Sequence, residues 1–274
     1  MTFPEKLRIA WRERDSMACL GLDPDLSRMP SGLSSQPGRA ILEFNKHILD
    51  ATADLLCAVK PQWAFYGALG TEGLDALAAT LAYCRERFPA LPIILDFKRG
   101  DVGNTAEQYA VEGFDLYGAD AVTVNPYLGK DATDPFLKRA DRGVILLCKT
   151  SNRGSGDFQN VRDSEGTPLF LRVARTVALE WNANGNCGLV VGATFPEELA
   201  RVRALVGDMP ILVPGIGAQG GDLEASLRAG RDSTGYGLMV SSSRGILYAS
   251  RDADYPQAAR QAAQDLRDAM RACA

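Results

Sequence analysis

The chain has 274 residues, 46% hydrophobic and 23% charged, which suits one large α/β barrel or two small domains of ordinary globular composition. Its net charge of −4 argues against non-specific binding to nucleic acid or an anionic membrane, so an anionic substrate needs a local cationic site. No apolar run reaches the roughly 18–20 residues of a membrane span.

From the beginning of the chain, MTFPEKLRIAWRERD lacks the apolar core of a secretory signal. Eight short apolar, β-like runs then follow: 17–22, 56–60, 92–97, 121–125, 144–148, 188–191, 210–213 and 238–241. They lack strict polar alternation, as expected of parallel strands buried on both faces. Helical patterns fill the gaps. In 40–52, Ile41, Phe44, Ile48 and Leu49 recur at helical spacing, and His47, the sole histidine, falls beside that stripe as an edge residue. Without a second histidine and with this placement, Ser-His-Asp, Cys-His and most zinc chemistry drop out. Leu74, Leu77, Leu81, Cys84 and Phe88 make a second stripe. Asn104 followed by Glu107 reads as a capping box opening another helix. Further helices are expected over 167–181, 196–206 and 222–229, with a last one near the end of the chain.

Eight strands alternating with helices predict a single (β/α)8 TIM-type barrel domain over 1–274. The alternative is an open doubly wound sheet, but LGLDPDL at the first βα turn lacks the glycine fingerprint of a dinucleotide fold. One connection breaks the rhythm. The polar, glycine-rich segment around 150–166 follows the fifth strand and is a candidate lid or, failing that, a disordered surface loop. The six cysteines form no C-x-x-C pair and sit mostly in apolar runs. Buried free thiols in a reducing, cytoplasmic compartment are the expectation.

Function in a barrel sits at the C-terminal ends of its strands. There, LDFKRGD places Asp96, Lys98 and Asp101 at the end of the third strand. Asp96 and Lys98 are two apart, so they face the same way, into the mouth. A lysine between two carboxylates stays protonated to high pH. A structural ion pair is the bland alternative, though charge directed into a barrel mouth costs desolvation. Lys60 ends the second strand and Asp23 the first; each alone is an ordinary loop charge, and together they extend a pattern of alternating charge. The second cluster is VPGIGAQGGD after strand seven, from Pro214 on, and SSSRG after strand eight. Glycine-rich loops are mostly turns. At this place in the fold, with Gly217 and Gly220 letting backbone N–H groups approach an anion and Arg244 supplying a fixed cation, they favour phosphate.

The ordered set D-F-K-x-x-D, N-T, P-G-I-G-A-Q-G-G-D and S-R-G resembles orotidine 5′-phosphate decarboxylase, and K-T-S-N resembles the longer bacterial branch of that family. The resemblance runs from Asp23 to Arg244. It implies decarboxylation of orotidine 5′-phosphate to UMP without a cofactor or metal. It implies that Lys60, Asp96, Lys98 and Asp101 form a charge network, with Lys98 donating the proton that replaces CO2. It places Asp101 and Thr105 in the partner's site of a homodimer. It gives the ribose to Asp23 and Lys60, the pyrimidine to Ser151 or its neighbours Thr150 and Asn152, and the phosphate to Gln219 and Arg244. The phosphate is aided by the backbone near Gly217 and Ser243, and Pro214 completes the substrate-binding set. The rivals are a Mg2+-dependent phosphosugar decarboxylase or synthase on the same scaffold and a non-catalytic phosphoribosyl-binding barrel. N-T after Asp101 favours the nucleotide enzyme over the first, and the complete charged set favours turnover over the second.

Overall fold

The computed structural model describes residues 1–216 and 221–273. Its frame is one sheet of eight parallel strands: β1 (Ala18–Leu22), β2 (Ala58–Pro61), β3 (Ile94–Arg99), β4 (Ala121–Val124), β5 (Gly143–Lys149), β6 (Cys187–Val191), β7 (Ile211–Pro214) and β8 (Leu238–Ser242). Each expected strand is present within two residues at either end. The order is β2-β1-β8-β7-β6-β5-β4-β3. Parallel bridges Val59–Ile93 and Gln62–Asp96 return β3 to β2, so the sheet curls into a nearly closed barrel. The strands are almost continuously buried, as residues packed on both faces must be.

The connecting helices are α2 (Pro37–Thr52), α4 (Gly70–Arg87), α5 (Gly103–Val111), α6 (Lys130–Leu137), α8 (Leu169–Thr176), α9 (Pro196–Val206), α10 (Leu223–Gly230) and α12 (Tyr255–Ala272), with short α3 (Trp63–Gly67), α7 (Gly156–Gln159) and α11 (Arg244–Leu247). Ile41, Phe44, Ile48 and Leu49 of α2 are fully buried as their spacing predicts. His47 is exposed and meets the Tyr255 hydroxyl. The expected capping box at Asn104 is absent: α5 is capped two residues earlier, at Val102, without a side-chain hydrogen bond. The helix expected over 167–181 is α8 followed by a wider π-helical turn over 177–181.

Before β1 comes α1 (Phe3–Arg14), a helix not among those expected. It opens on a capping box between Thr2 and Glu5. It lies across the N-terminal ends of three strands. The Phe3 N–H donates to the Asp141 carbonyl just before β5 at 2.9 Å. Lys6 pairs with Asp120 just before β4 at 2.8 Å. The Trp11 indole donates to the Leu238 carbonyl of β8 at 2.8 Å. The barrel is therefore covered at this end and open for chemistry at the other.

Five cysteines are buried and Cys273 is half-buried; all are free. Burial pushes the Cys19 and Cys148 thiols up to about 12, so they are inert packing groups. Among the described residues, no helix is long and apolar enough to cross a membrane.

Candidate active site

The C-terminal ends of the strands open into a cavity of about 830 Å³, lined by Asp23, Lys60, Asp96, Pro214, Ser243 and Arg244 among others. A narrower lobe of about 360 Å³ shares Lys60, Asp96 and Pro214 and adds Lys98, Thr150, Ser151 and Asn152. The structure thus brings most of the expected site residues to one cleft with two arms.

Its floor is a chain of charges. Asp96, on β3, is 5% exposed. One carboxylate oxygen accepts from Lys60 Nζ at 2.9 Å, and the other from Lys98 Nζ at 2.5 Å. Gln62 Nε2 at 3.2 Å and Thr123 Oγ1 at 2.9 Å complete the set. Burial alone would raise the carboxyl pKa, but the Lys60 and Lys98 charges overwhelm it and hold Asp96 well below the usual carboxylate range. For Lys60, burial acts downward, and the charges of Asp96 and Asp23 more than offset it, leaving the ammonium raised above the ordinary lysine value. Both groups are charged across the physiological range.

Lys98 stands apart from its neighbours. Its φ of +47° is in the left-handed region, one of two such non-glycine residues described. A lysine there costs about 1–2 kcal/mol, and strain of this kind clusters at functional sites. The register explains the geometry: between Leu95 and Arg99, β3 advances four residues while β4 advances two. Thr123 of β4 secures the bulge, since its hydroxyl accepts from the Lys98 N–H at 3.0 Å while donating to Asp96. Beyond it, Arg99 forms a two-pronged pair with Glu112 and lies 4.6 Å from the Trp63 ring centre and 4.7 Å from that of Tyr109. The strained turn is braced on both sides.

The single chain shows one side of the expected lysine between two carboxylates, the Lys98–Asp96 contact. Within one chain, Asp96 is a carboxylate between two lysines, while Asp101 accepts from its own neighbour, the Val102 N–H, at 2.8 Å. Neither Asp101 nor the exposed Thr105 lines the cleft of its own chain.

At the other arm, Asp23 follows β1 with Oδ1 buried and no hydrogen-bond partner among the described residues. Ser243 leans over Gly21: a Cβ at Gly21 would fall 1.9 Å from Ser243 Oγ and 3.3 Å from an Asp23 oxygen. Glycine is thus what lets these two groups converge. Gly215, at φ +101°, turns the chain after Pro214. Gly217, Gln219 and Gly220 lie outside the described residues. Arg244 opens α11 and is exposed to the cleft.

Sequence reasoning missed four lining or bracing groups. Gln62 and Thr123 are the neutral partners of Asp96; the signal for Thr123 was a lone polar residue inside an apolar run. Arg28 lies 4.4 Å over the Tyr248 ring, whose hydroxyl donates to the Asp23 carbonyl and accepts from the Asp25 N–H. The pair ties the loop after β1 to the end of α11, and nothing in its spacing marked it.

The geometry agrees with comparison to known proteins. Residues 16–262 match the family model described as orotidine 5′-phosphate decarboxylase / HUMPS family. The chain is 58% identical over 270 residues to an orotidine 5′-phosphate decarboxylase of Janthinobacterium sp. (strain Marseille), covering 98% of each. It is 57% identical to one from Azoarcus sp. (strain BH72), covering 99% of each. Among solved structures, OMP decarboxylase of Leishmania donovani superposes with a TM-score of 0.84 at 38% identity over the whole of both chains. The UMP synthase of the same organism gives 0.86 at 40% identity; there the match covers 99% of this chain but 57% of the longer protein. With the motif order, the barrel and near-complete coverage at this identity in agreement, the chain belongs to the orotidine 5′-phosphate decarboxylase family.

Proposed function

We propose that this protein decarboxylates orotidine 5′-phosphate to UMP, with Lys98 as the proton donor. The observation that carries the reading is the Lys60–Asp96–Lys98 chain of charges, buried at one end and opening at Lys98 into the cleft. The Lys98 side chain is 42% exposed, so its ammonium can reach a ligand.

In this reading the bond from C6 to the carboxylate breaks and CO2 leaves. The electron pair remains in the plane of the pyrimidine ring, where the π system cannot spread it. A preorganised ammonium stabilises it and then supplies the proton to C6. Asp96 fixes the ammonium and sets a negative charge against the substrate carboxylate. The ribose hydroxyls satisfy Asp23, whose buried oxygen otherwise has no partner among the described residues, and Lys60. Arg244, Ser243 and the backbone around Pro214 take the phosphate, with Gln219 and Gly217 as expected contributors. Ser151 and its neighbours face the base. Gripping the remote phosphate supplies binding energy that assembles the charged end.

We further infer a homodimer in which Asp101 and Thr105 serve the partner's site. Supporting this, Asp101 is not among the residues lining its own cleft. The exposed apolar residues Val102, Tyr127 and Leu128 sit in the two loops joined by the Asn125 N–H bond to the Arg99 carbonyl.

The test is the fall in orotidine 5′-phosphate absorbance with purified protein, with and without EDTA. Turnover indifferent to EDTA is expected. Turnover abolished by EDTA supports a metal-dependent rival, and UMP binding without CO2 release supports a non-catalytic barrel.

A further inference from the structure

Lys149, the last residue of β5, is fully buried. No carboxylate lies within 4.0 Å of it among the described residues. Its polar partners are neutral: Ser155 Oγ accepts at 3.2 Å and Asn160 Oδ1 at 2.9 Å. The ammonium also lies 4.5 Å from the Phe195 ring centre and 5.8 Å from that of Phe170. Burial pulls its pKa below the ordinary lysine value, with the Glu198 charge acting against that. A buried cation so weakly compensated is costly and calls for a reason.

The reason lies in what the ammonium gathers. Both hydrogen-bond partners belong to the segment that follows it, so residues 150–160 wrap around the Lys149 head. The same segment is cross-braced: the Thr150 N–H donates to Gln159 Oε1 at 2.9 Å, and Gln159 Nε2 donates to the Thr150 hydroxyl at 2.8 Å. Thr150 Oγ1 donates to Asn152 Oδ1 at 2.6 Å. Thr150, Ser151 and Asn152 then line the narrower lobe beside Lys98. On the barrel side Ser151 is seated so close to Gly192 that a Cβ there would fall 2.7 Å from Ser151 Cα. The wall of the lobe is thus pinned at Gly192 and tied down by Lys149.

We infer that Lys149 is a positioning residue, whose buried ammonium folds the 150–160 segment so that Thr150, Ser151 and Asn152 form the wall that recognises the base. This rests on the nucleotide reading above. Lys149 touches no substrate, and its effect is confined to the base end.

Calorimetric binding of UMP and of ribose 5-phosphate, which lacks the base, separates this role from general stability. Lys149→Met keeps the length and removes the donors; UMP affinity is expected to fall about tenfold, the scale of a lost charged hydrogen bond, with ribose 5-phosphate unchanged. Asn160→Ala, at an exposed position, is expected to weaken UMP several-fold in a folded protein, and Asn160→Asp to retain wild-type affinity. Limited proteolysis within 153–160 is expected to speed up in Lys149→Met and Asn160→Ala without ligand. Equal weakening of both ligands, or unchanged UMP affinity in folded variants, overturns the inference; if Lys149→Met does not fold, Asn160→Ala decides. Wild-type protein that binds no UMP overturns the nucleotide reading itself, and the base wall with it.

Discussion

Lys98 joins two opposing demands at one residue: a strained backbone and a working ammonium. Lys98→Ala keeps the strain and removes the amine, so decarboxylation is expected to be nearly abolished in a folded protein. Lys98→Gly is equally inactive but relieves the left-handed backbone. Thermal denaturation is expected to show it more stable than Lys98→Ala by about 1 kcal/mol. Equal stability would mean the turn is unstrained. Asp96 makes a second prediction. Its folded pKa lies below that of the unfolded chain, so its contribution is present above about pH 4 and lost as pH falls through that value toward the folded pKa. Asp96→Asn leaves Lys60 buried without its counter-charge, which costs about 3–5 kcal/mol. The variant is also expected to show a shallower loss of melting temperature below about pH 4 than the wild type. Lys60 works in the opposite direction: its raised pKa gives a contribution that is lost only as pH climbs above the ordinary lysine range.

At the scale of elements, strands were legible and their irregularities were not. Eight buried runs alternating with helical patterns fixed the strand number and pointed to the barrel. The bulge in β3 could not be read, because Asp96 and Lys98 sit two apart in any extended strand. What re-aims Lys98 is a threonine on the neighbouring strand. The polar insertion was visible as an insertion, and its lysine anchor was hidden because a lysine ending a strand looks like a surface charge. α1 was legible in principle, since Phe3, Leu7, Ala10 and Trp11 recur at helical spacing behind the Thr2–Glu5 capping box; the segment was weighed only against a secretory signal. Arg244 gives the prediction at this scale, since it stands where β8 hands over to α11. Arg244→Ala removes a charge-assisted contact of about 1.5–3 kcal/mol, so kcat/KM for orotidine 5′-phosphate is expected to fall accordingly. Orotidine, lacking the phosphate, is expected to be a poor substrate and nearly indifferent to the change. Equal harm to both substrates would make Arg244 structural.

For the molecule as a whole, the question is whether one chain completes a site. Asp101 does not line the cleft of its own chain, so inactive Lys98→Ala and Asp101→Ala proteins are expected to complement when their subunits exchange. Half of randomly mixed dimers are hybrids with one intact site of two, so recovery approaches about one quarter of wild type. No recovery, with exchange verified by mass spectrometry, would assign Asp101 to its own chain or to no site at all. The sequence alone supplied the motif order behind this, but only folding shows which charges meet.

The helix laid across the closed end also bears on how the chain is made. Phe3, Leu7 and Trp11 are buried in the finished molecule, yet the acceptor for Trp11 is the Leu238 carbonyl, 227 positions later. A growing polypeptide therefore carries the apolar face of this helix unsatisfied until nearly the entire barrel has left the ribosome. Such late, long-range closure slows folding and leaves sticky surface uncovered meanwhile. A helix made before all eight strands is thus among the last parts of the domain to find its place.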